Sequence, residues 1–293
     1  MRLSQRMKPA GLPIWMGDVA GVLRAATKIL GEISDSPRLD AELLMAHALK
    51  MERADLLLKL PELAAPAEFS ALLERRRQSE PIAHIIGTKE FWGLDFIVSS
   101  DVLIPRPDSE LLIGEAVRLF AAQHPQRILD LGTGSGALLL AALNEFPAAS
   151  GLGIDASTAA LQIAHNNADA LGLADQSKFL LLDWTLPDWT GPLGSGFDLV
   201  LANPPYVSTN AQLSADVAEY EPHRALFAGE DGMDDYRIII PGLENLLSPT
   251  GMALLEIGFD QADEVSELAS DNGYHIELKK DLGKNDRLLI LRR

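Results

Sequence analysis

Hydrophobic residues follow two different periods along the chain. Over positions 18–78 they recur at the spacing of amphipathic helices, which predicts a helical N-terminal domain over residues 17–80. Ser36-Pro37 marks the start of one helix, because proline is accepted in the first helical turn. The run Arg75 to Arg77 near the end of this domain is interpreted as a solvated helix end, with a contact site as the alternative.

The pattern changes over residues 81–105, where short segments rich in β-branched and aromatic residues alternate with glycines. These segments are IAHIIG, KEFWGLDFIV and VLIP. Gly87 and Gly93 are the expected turn points. We predict a β-hairpin linker over this stretch.

Strand-like and helix-like segments alternate over residues 106–293. The strand-like segments are, in chain order, RILDL, GLGID, KFLLLD, FDLVLAN, GMALLEIG, YHIELKK and RLLILRR. Helical patterns separate most of them. This alternation predicts an α/β domain with a mostly parallel sheet that helices cover on both faces.

The composition narrows the class of protein. The 293 residues are 47% hydrophobic, enough for one large core and a smaller second domain. A formal net charge of -17 disfavours a broad basic surface for phosphates, so we expect no direct nucleic-acid partner. No apolar run approaches the roughly 18 residues of a membrane span, so no membrane partner is expected. Because there is no cysteine, disulfides and thiolate metal sites are excluded, and a cytoplasmic location is the simplest expectation.

The beginning of the chain lacks the organised pattern. Residues 1–16 are basic and contain no apolar stretch of signal-peptide length. We predict a flexible extension there, with Met16 as an alternative start of the protein.

A glycine-rich turn follows RILDL directly. It consists of Gly132, Thr133, Gly134, Ser135 and Gly136. Such a turn at the carboxyl end of a strand lets a ligand approach the backbone closely, although a tight turn without a ligand is the alternative. Its GxGxG spacing and the missing lysine differ from dinucleotide and phosphate loops. The turn therefore favours a nucleoside that carries no pyrophosphate.

Two acidic positions follow the next two strands. Asp155 ends GLGID, where its carboxylate can accept hydrogen bonds from both ribose hydroxyls. Asp155 or Ser157 can also cap the following helix, and a cap and a ligand contact can share one turn. Asp183 and Trp184 come after the third strand, where they would meet the edge and face of an adenine. For Trp184, a place in the hydrophobic core is an equally good interpretation.

The segment Asn203-Pro204-Pro205-Tyr206 stands directly after FDLVLA. Two prolines cannot continue a central strand, and they stiffen the backbone, so that carbonyl groups and the Asn203 side chain keep fixed directions. An ordinary turn is the alternative. Following a hydrophobic strand, and downstream of the glycine turn and Asp155, the segment favours a catalytic interpretation.

An amide or exocyclic amine nitrogen is a poor nucleophile, because its lone pair is delocalised, and no strong base lies in this segment. We expect the Asn203 side-chain oxygen and the Pro204 carbonyl to accept its two hydrogens and direct its lone pair at a sulfonium methyl group. Tyr206 would pack against the planar target. Positioning then supplies most of the catalysis, and the methylated nitrogen loses a proton readily without a dedicated base.

These residues resemble the release factor glutamine methyltransferases, the PrmC or HemK family. The likeness covers nearly all of the chain from about residue 18. The motifs that carry it are PIAHIIGTKEFWGLDFIV, LIPRPDSE, LDLGTGSG, GIDAS, NPPYV, EPHRALFAGEDGM, EIG with the following Gln261, and DLGKNDR. The family usually has threonine where this chain has Ser109, and the hydroxyl is retained.

The resemblance implies a fold, a cofactor and a substrate. The implied fold is a seven-stranded class I (Rossmann-like) methyltransferase domain behind a helical domain, joined by a β-hairpin. The implied cofactor is S-adenosyl-L-methionine, held by Gly132 to Gly136, Asp155, Trp184 and Asn203. The implied substrate is the N5 amide of the glutamine in the Gly-Gly-Gln loop of peptide chain release factors, held by Asn203 to Tyr206. The size and separation of the helical domain suggest that it recognises this partner.

Three other functions are weighed against this one. Ribosomal-protein glutamine methyltransferases share the NPPY segment, but their hairpin end typically departs from LIPRPDSE. Adenine-N6 methyltransferases of DNA or RNA also act on a planar nitrogen, and the acidic balance disfavours them. A cofactor-binding module without activity would need a damaged pocket. We expect a monomer without a metal site, because His84, His165 and His223 have no ligand spacing.

Overall fold

The structure is a computed structural model that describes residues 18–293. The extension predicted for residues 1–16 and the alternative start at Met16 lie outside the described residues. The described chain forms two compact units, one of residues 18–86 with 215–220 and the other of residues 87–214 with 221–293. The division after residue 86 falls inside the segment predicted as a linker.

The first unit is helical, as predicted. Up to residue 86 its helices are α1 (Val19–Leu30), α2 (Pro37–Leu49), α3 (Arg53–Lys59), α4 (Phe69–Arg77) and α5 (Ile82–Ile86). Helix α1 begins after Asp18, because the Asp18 carboxylate accepts a hydrogen bond from the Gly21 amide at 3.3 Å. Helix α2 begins at Pro37, the predicted position. Apolar side chains from all five helices form one buried core.

Two predictions for the segment 81–105 are wrong in detail. IAHIIG forms the helix α5 rather than a β segment, because Ile85 packs into the helical core and this burial outweighs the low helix propensity of isoleucine. VLIP forms no strand, since the Ile104 amide donates to the buried Glu221 carboxylate at 3.2 Å instead of to a neighbouring strand. The expected hairpin is present between them as strands β1 (Thr88–Phe91) and β2 (Leu94–Ile97).

The arginine run at the end of α4 is only partly solvated, which corrects the sequence interpretation. Arg76 is 8% exposed and donates to the Asp40 carboxylate at 2.8 Å. Arg77 pairs with Glu74 at 2.9 Å on an exposed part of the helix. The middle arginine therefore belongs to a buried ion pair within the helical unit.

The second unit contains the remaining strands and most of the remaining helices. Its strands are β3 (Arg127–Leu131), β4 (Ser150–Asp155), β5 (Ser177–Leu181), β6 (Phe197–Ala202), β7 (Leu247–Glu256), β8 (His275–Lys280) and β9 (Asp286–Arg292). The helices that follow α5 are α6 (Glu110–Leu119), α7 (Ala137–Glu145), α8 (Thr158–Ala170), α9 (Ala215–Tyr220), α10 (Asp234–Leu246) and α11 (Ala262–Asp271). Of these, α9 belongs to the first unit. There the Tyr220 hydroxyl donates to the Gln78 carbonyl at 2.9 Å.

The sheet has the order β5-β4-β3-β6-β7-β9-β8. The five strands from β5 to β7 are parallel, and β9 and β8 add an antiparallel edge. Alternate residues of β3, β6, β7 and β9 enter two cores, one shared with α10 and α11 and the other with α6 and α7. The predicted mostly parallel sheet with helices on both faces is confirmed.

The strand order reverses beside β3, whose neighbours are β4 and β6. In open α/β sheets, a crevice forms outside the carboxyl ends of the strands at such a point. The glycine turn, Asp155 and Asn203 follow or end these three strands, so the topology brings them to one edge. No helix within residues 18–293 combines the length and the apolar character needed to cross a membrane.

Candidate active site

A cavity of about 840 Å³ opens in the second unit at this edge of the sheet. Gly132, Asp155, Trp184 and Asn203 are among the residues that line it. Five aspartates and a single arginine, Arg224, supply the charged groups of its lining. The cavity therefore favours a ligand that carries positive charge.

The glycine turn presents its glycines, rather than its polar side chains, to the cavity. Gly132 and Gly134 line the cavity, and their φ angles of 73° and 54° lie in the left-handed region. A Cβ atom on Gly132 would lie 3.0 Å from the ring of Trp184. Gly136 caps helix α7, also with a positive φ, of 82°. The close approach of the turn to the cavity thus depends on missing side chains.

Thr133 and Ser135 are buried and hold the turn from behind. The Thr133 hydroxyl donates to the Asp130 carboxylate at 2.6 Å, and the Ser135 carbonyl accepts from the Asn167 side chain at 2.8 Å. Neither residue lines the cavity. Asp130, which the sequence analysis did not single out, is 1% exposed, and burial raises its pKa to about 7. The signal in the sequence that could have pointed to Asp130 is an acidic residue inside the otherwise largely apolar strand RILDL.

Asp155 lies at the tip of β4 with both carboxylate oxygens oriented by the backbone. The Gly134 amide donates to Oδ2 at 2.9 Å and the Ser157 amide donates to Oδ1 at 2.8 Å. Burial raises the pKa of Asp155, and these hydrogen bonds oppose the rise. The helix cap comes from Ser157, whose hydroxyl accepts from the Ala160 amide at 3.2 Å. The Asp155 carboxylate can still accept a hydrogen bond from a ligand in the cavity.

Asp183 and Trp184 form a neighbouring part of the cavity wall. The Asp183 carboxylate accepts from the Thr185 hydroxyl at 2.7 Å and pairs with Arg224, and its pKa is lowered, chiefly by the Thr185 bond. The Trp184 indole donates to the Asp235 carboxylate at 2.6 Å, which fixes the ring. Trp184 lines the cavity and also packs against the sheet core, so it contributes to the core, and its contact with an adenine stays a prediction.

The Asn-Pro-Pro-Tyr segment contributes to the cavity unevenly. Asn203 and Pro205 line it, whereas Pro204 is buried and Tyr206 lies outside the lining. The Tyr206 hydroxyl is 3.4 Å from the Glu256 carboxylate, and burial raises the pKa of Tyr206. The Tyr206 carbonyl accepts a hydrogen bond at 3.1 Å from the side chain of Gln261, which lies directly before α11 and holds the segment in place.

Behind Asn203 lies a buried polar chain that the sequence analysis missed. The Asn203 side-chain nitrogen donates to the Ser109 hydroxyl at 3.2 Å, and that hydroxyl donates to the Glu256 carboxylate at 2.5 Å. Glu256 is 1% exposed, and burial raises its pKa to about 7. The signal in the sequence that could have pointed to Glu256 is an acidic residue at the end of the largely apolar strand β7. Ser109 lies in the LIPRPDSE motif.

Two family models match the chain, the PrmC N-terminal domain over residues 21–87 and a methyltransferase domain over residues 122–274. Proteins named release factor glutamine methyltransferase are similar along most of its length. The one from Rhodospirillum rubrum is 40% identical over 265 residues, which cover 88% of this chain and 80% of the relative. The one from Cereibacter sphaeroides is 40% identical over 280 residues, which cover 93% and 98%. The chain belongs to the release factor glutamine methyltransferase family.

Membership of the release factor glutamine methyltransferase family confirms the resemblance drawn from the sequence motifs, and with it the prediction of a methyltransferase. Among solved structures, the hMettl16 catalytic domain in complex with MAT2A 3'UTR hairpin 6 is similar in fold, with a TM-score of 0.53. That likeness covers 69% of this chain and 76% of the other, at 16% identity. It concerns the fold alone.

Proposed function

We propose that this chain transfers a methyl group from S-adenosyl-L-methionine to the N5 amide nitrogen of the glutamine in the Gly-Gly-Gln loop of release factors, in the cytoplasm. One observation carries the proposal. Asn203 and Pro205 line the same cavity as the glycine turn and Asp155, so a cofactor site and an amide-binding segment share one space. The names of the relatives support release factors as the acceptor.

The cavity residues fit the cofactor in shape and charge. Gly132 and Gly134 leave room for a ligand against the backbone, and the Asp155 carboxylate can accept hydrogen bonds from the ribose hydroxyls. The indole of Trp184, held by Asp235, offers a fixed wall for the adenine. Excess carboxylate in the lining suits a cationic sulfonium and an ammonium group. When bound, the cofactor supplies an electrophilic methyl group.

The residues of the Asn-Pro-Pro-Tyr segment then orient the substrate amide. Within residues 18–293 no donor reaches the Asn203 Oδ1 atom, which leaves it available to accept an amide hydrogen at the cavity. The Pro204 carbonyl is the second acceptor in this proposal. Accepting both hydrogens localises the nitrogen lone pair and aims it along one direction, and such positioning can supply several kcal/mol of the barrier lowering. Tyr206 lies outside the cavity lining, so its packing against the planar group would require the bound substrate to reach beyond that lining.

A nucleic-acid acceptor is disfavoured by the same charges that suit the cofactor. Phosphate groups next to a lining of five aspartates and one arginine would be repelled. A ribosomal-protein glutamine remains chemically equivalent to a release-factor glutamine at this site. The choice between them rests on the helical unit, which we propose recognises the release factor. Protection of helices α1 to α4 from hydrogen exchange upon addition of release factor would test that role.

The function is tested by incubating the chain with purified release factor and isotopically labelled cofactor. We expect a single methyl group on the glutamine of the Gly-Gly-Gln peptide by mass spectrometry. Asn203→Ala is the matched control: it should bind cofactor and transfer little methyl, because the amide acceptor is gone. Ribosomal protein and DNA serve as competing acceptors. Methylation of either in place of release factor, or transfer by Asn203→Ala at the wild-type rate, would overturn the proposal.

A further inference from the structure

The Asn203 side chain has two ends of nearly equal shape and opposite chemistry. The oxygen accepts hydrogen bonds and the nitrogen donates them. An amide turned the wrong way would present hydrogens to the hydrogens of the substrate. Something in the protein must therefore decide which end of Asn203 faces the cavity.

The groups behind Asn203 form a chain with a defined direction. Glu256 lies at the end of β7 and is almost fully buried, and its Oε2 atom accepts from the Ser109 hydroxyl at 2.5 Å. Ser109 is 3% exposed, and its Oγ atom lies 3.2 Å from the Asn203 nitrogen. The two groups come from segments far apart in the sequence, and both meet at the back of the Asn-Pro-Pro-Tyr segment.

We propose that Ser109 and Glu256 are positioning residues that fix the orientation of the Asn203 amide, so that its oxygen faces the substrate. This inference rests on the proposed function, because it assigns an acceptor role to Asn203. A serine hydroxyl has one hydrogen, and the Glu256 carboxylate, which only accepts when it is ionised, takes it. The Ser109 oxygen then has only lone pairs left to offer. Those lone pairs bind the nitrogen end of Asn203 and turn the oxygen end away from Ser109.

Other groups around Glu256 hold its carboxylate in place beside Ser109. The Tyr206 hydroxyl faces its second carboxylate oxygen, and the Tyr236 hydroxyl donates to its backbone carbonyl at 2.9 Å. Arg287 interacts favourably with the Glu256 charge, whereas Asp108 opposes it. Glu256 is thus held on several sides, and the carboxylate oxygen that meets Ser109 is fixed in place. The polar chain ends at the Asn203 oxygen, in the cavity.

The first test compares three variants in single-turnover methyl transfer to saturating release factor. One hydrogen bond can impose a bias of about ten-fold between the two orientations, and without it they become about equally populated, so Ser109→Ala is expected to slow transfer about two-fold. Ser109→Thr retains the hydroxyl and is expected to keep most of the rate. Cofactor affinity is expected to stay unchanged in both. Ser177→Ala, which removes a buried serine hydroxyl bonded to the Leu173 carbonyl, is the matched control for lost stability.

Two further measurements separate positioning from a merely structural role. In the Asn203→Ala background, Ser109→Ala is expected to have no additional effect on the rate, because its influence passes through the missing amide. Glu256→Gln can offer either an oxygen or an amide group to Ser109, so its rate is expected between those of Ser109→Thr and Ser109→Ala. Additive losses in the double variant, or a wild-type rate for Ser109→Ala or Glu256→Gln, would overturn the inference.

The side-chain amide resonance of Asn203 in nitrogen-15 spectra tests the orientation without using activity. Its signal, assigned by its loss in Asn203→Ala, is expected to shift and exchange faster in Ser109→Ala but not in Ser109→Thr. An unchanged resonance in Ser109→Ala would overturn the inference. If wild-type protein transfers no methyl to release factor while this resonance still depends on Ser109, the proposed function fails and the positioning stands.

Discussion

Substitution of Gly132 by alanine tests how the glycine turn serves the cavity. Its φ of 73° is one that residues with a Cβ rarely adopt, at a cost of about 1–2 kcal/mol in unfolding free energy. The added Cβ would also lie 3.0 Å from the Trp184 ring. The ring cannot yield freely, because its nitrogen donates to Asp235, and a hydrogen bond to a charged group is worth about 1.5–3 kcal/mol. We therefore expect cofactor affinity to fall about ten-fold or more.

Gly172→Ala provides the matched control for this prediction. Gly172 has a similar φ of 71°, and a Cβ there would meet nothing within 4 Å. Both variants should lose about 1–2 kcal/mol in urea unfolding through the backbone angle, and Gly132→Ala should lose more because of the contact with Trp184. Calorimetric titration should show weakened cofactor binding only in Gly132→Ala. If Gly132→Ala binds the cofactor as tightly as Gly172→Ala, the contact between the turn and Trp184 does not shape the cofactor site.

Three other predictions follow from single groups. Asp155→Ala should weaken cofactor binding about ten-fold or more, because it removes a buried charged acceptor, and unchanged calorimetric affinity in a folded variant would contradict this. Burial raises the pKa of Asp130 to about 7 in the folded protein. Its contribution to the free energy of unfolding is therefore present below about pH 4 and is lost as the pH rises through 7. Asp130→Asn should flatten this fall with pH, which amounts to at most about 1.4 kcal/mol per pH unit. Urea unfolding at pH 5 and pH 8 measures this, and an unaltered pH dependence would count against it. Arg76→Ala leaves the Asp40 charge buried and unpaired, so it should lower the free energy of unfolding by about 3–5 kcal/mol. Arg77→Ala removes an exposed ion pair and should lower it by less than about 1 kcal/mol. Equal losses in thermal unfolding would show that burial does not decide the difference.

The sequence was sufficient to predict the sheet, because its strands carry their own pattern. Strands β3 and β6 are buried on both faces and read as continuous apolar runs. Asp155 and Asn203 could also be placed at one edge, since parallel strands align their carboxyl ends. Local order along the chain is enough for that inference.

Contacts between distant segments could not be predicted in the same way. Ser109 and Glu256 are 147 positions apart, and nothing in either segment names the other as its partner. IAHIIG has a β-like composition, and only the packing of Ile85 into a helical core makes it a helix. Thr133 and Ser135 belong to the glycine turn in sequence, yet the backbone turns both away from the cavity.

The place of α9 in the chain has a consequence for biosynthesis. This helix belongs to the helical unit, although most of the other unit's sequence separates it from residue 86. During translation the ribosome releases α1 to α5 early, but the last helix emerges only after residue 220. The helical unit therefore lacks one of its helices while much of the sheet is being synthesised. A protein chemist who cuts the chain after residue 86 obtains two fragments, and one of them retains a helix that belongs to the other.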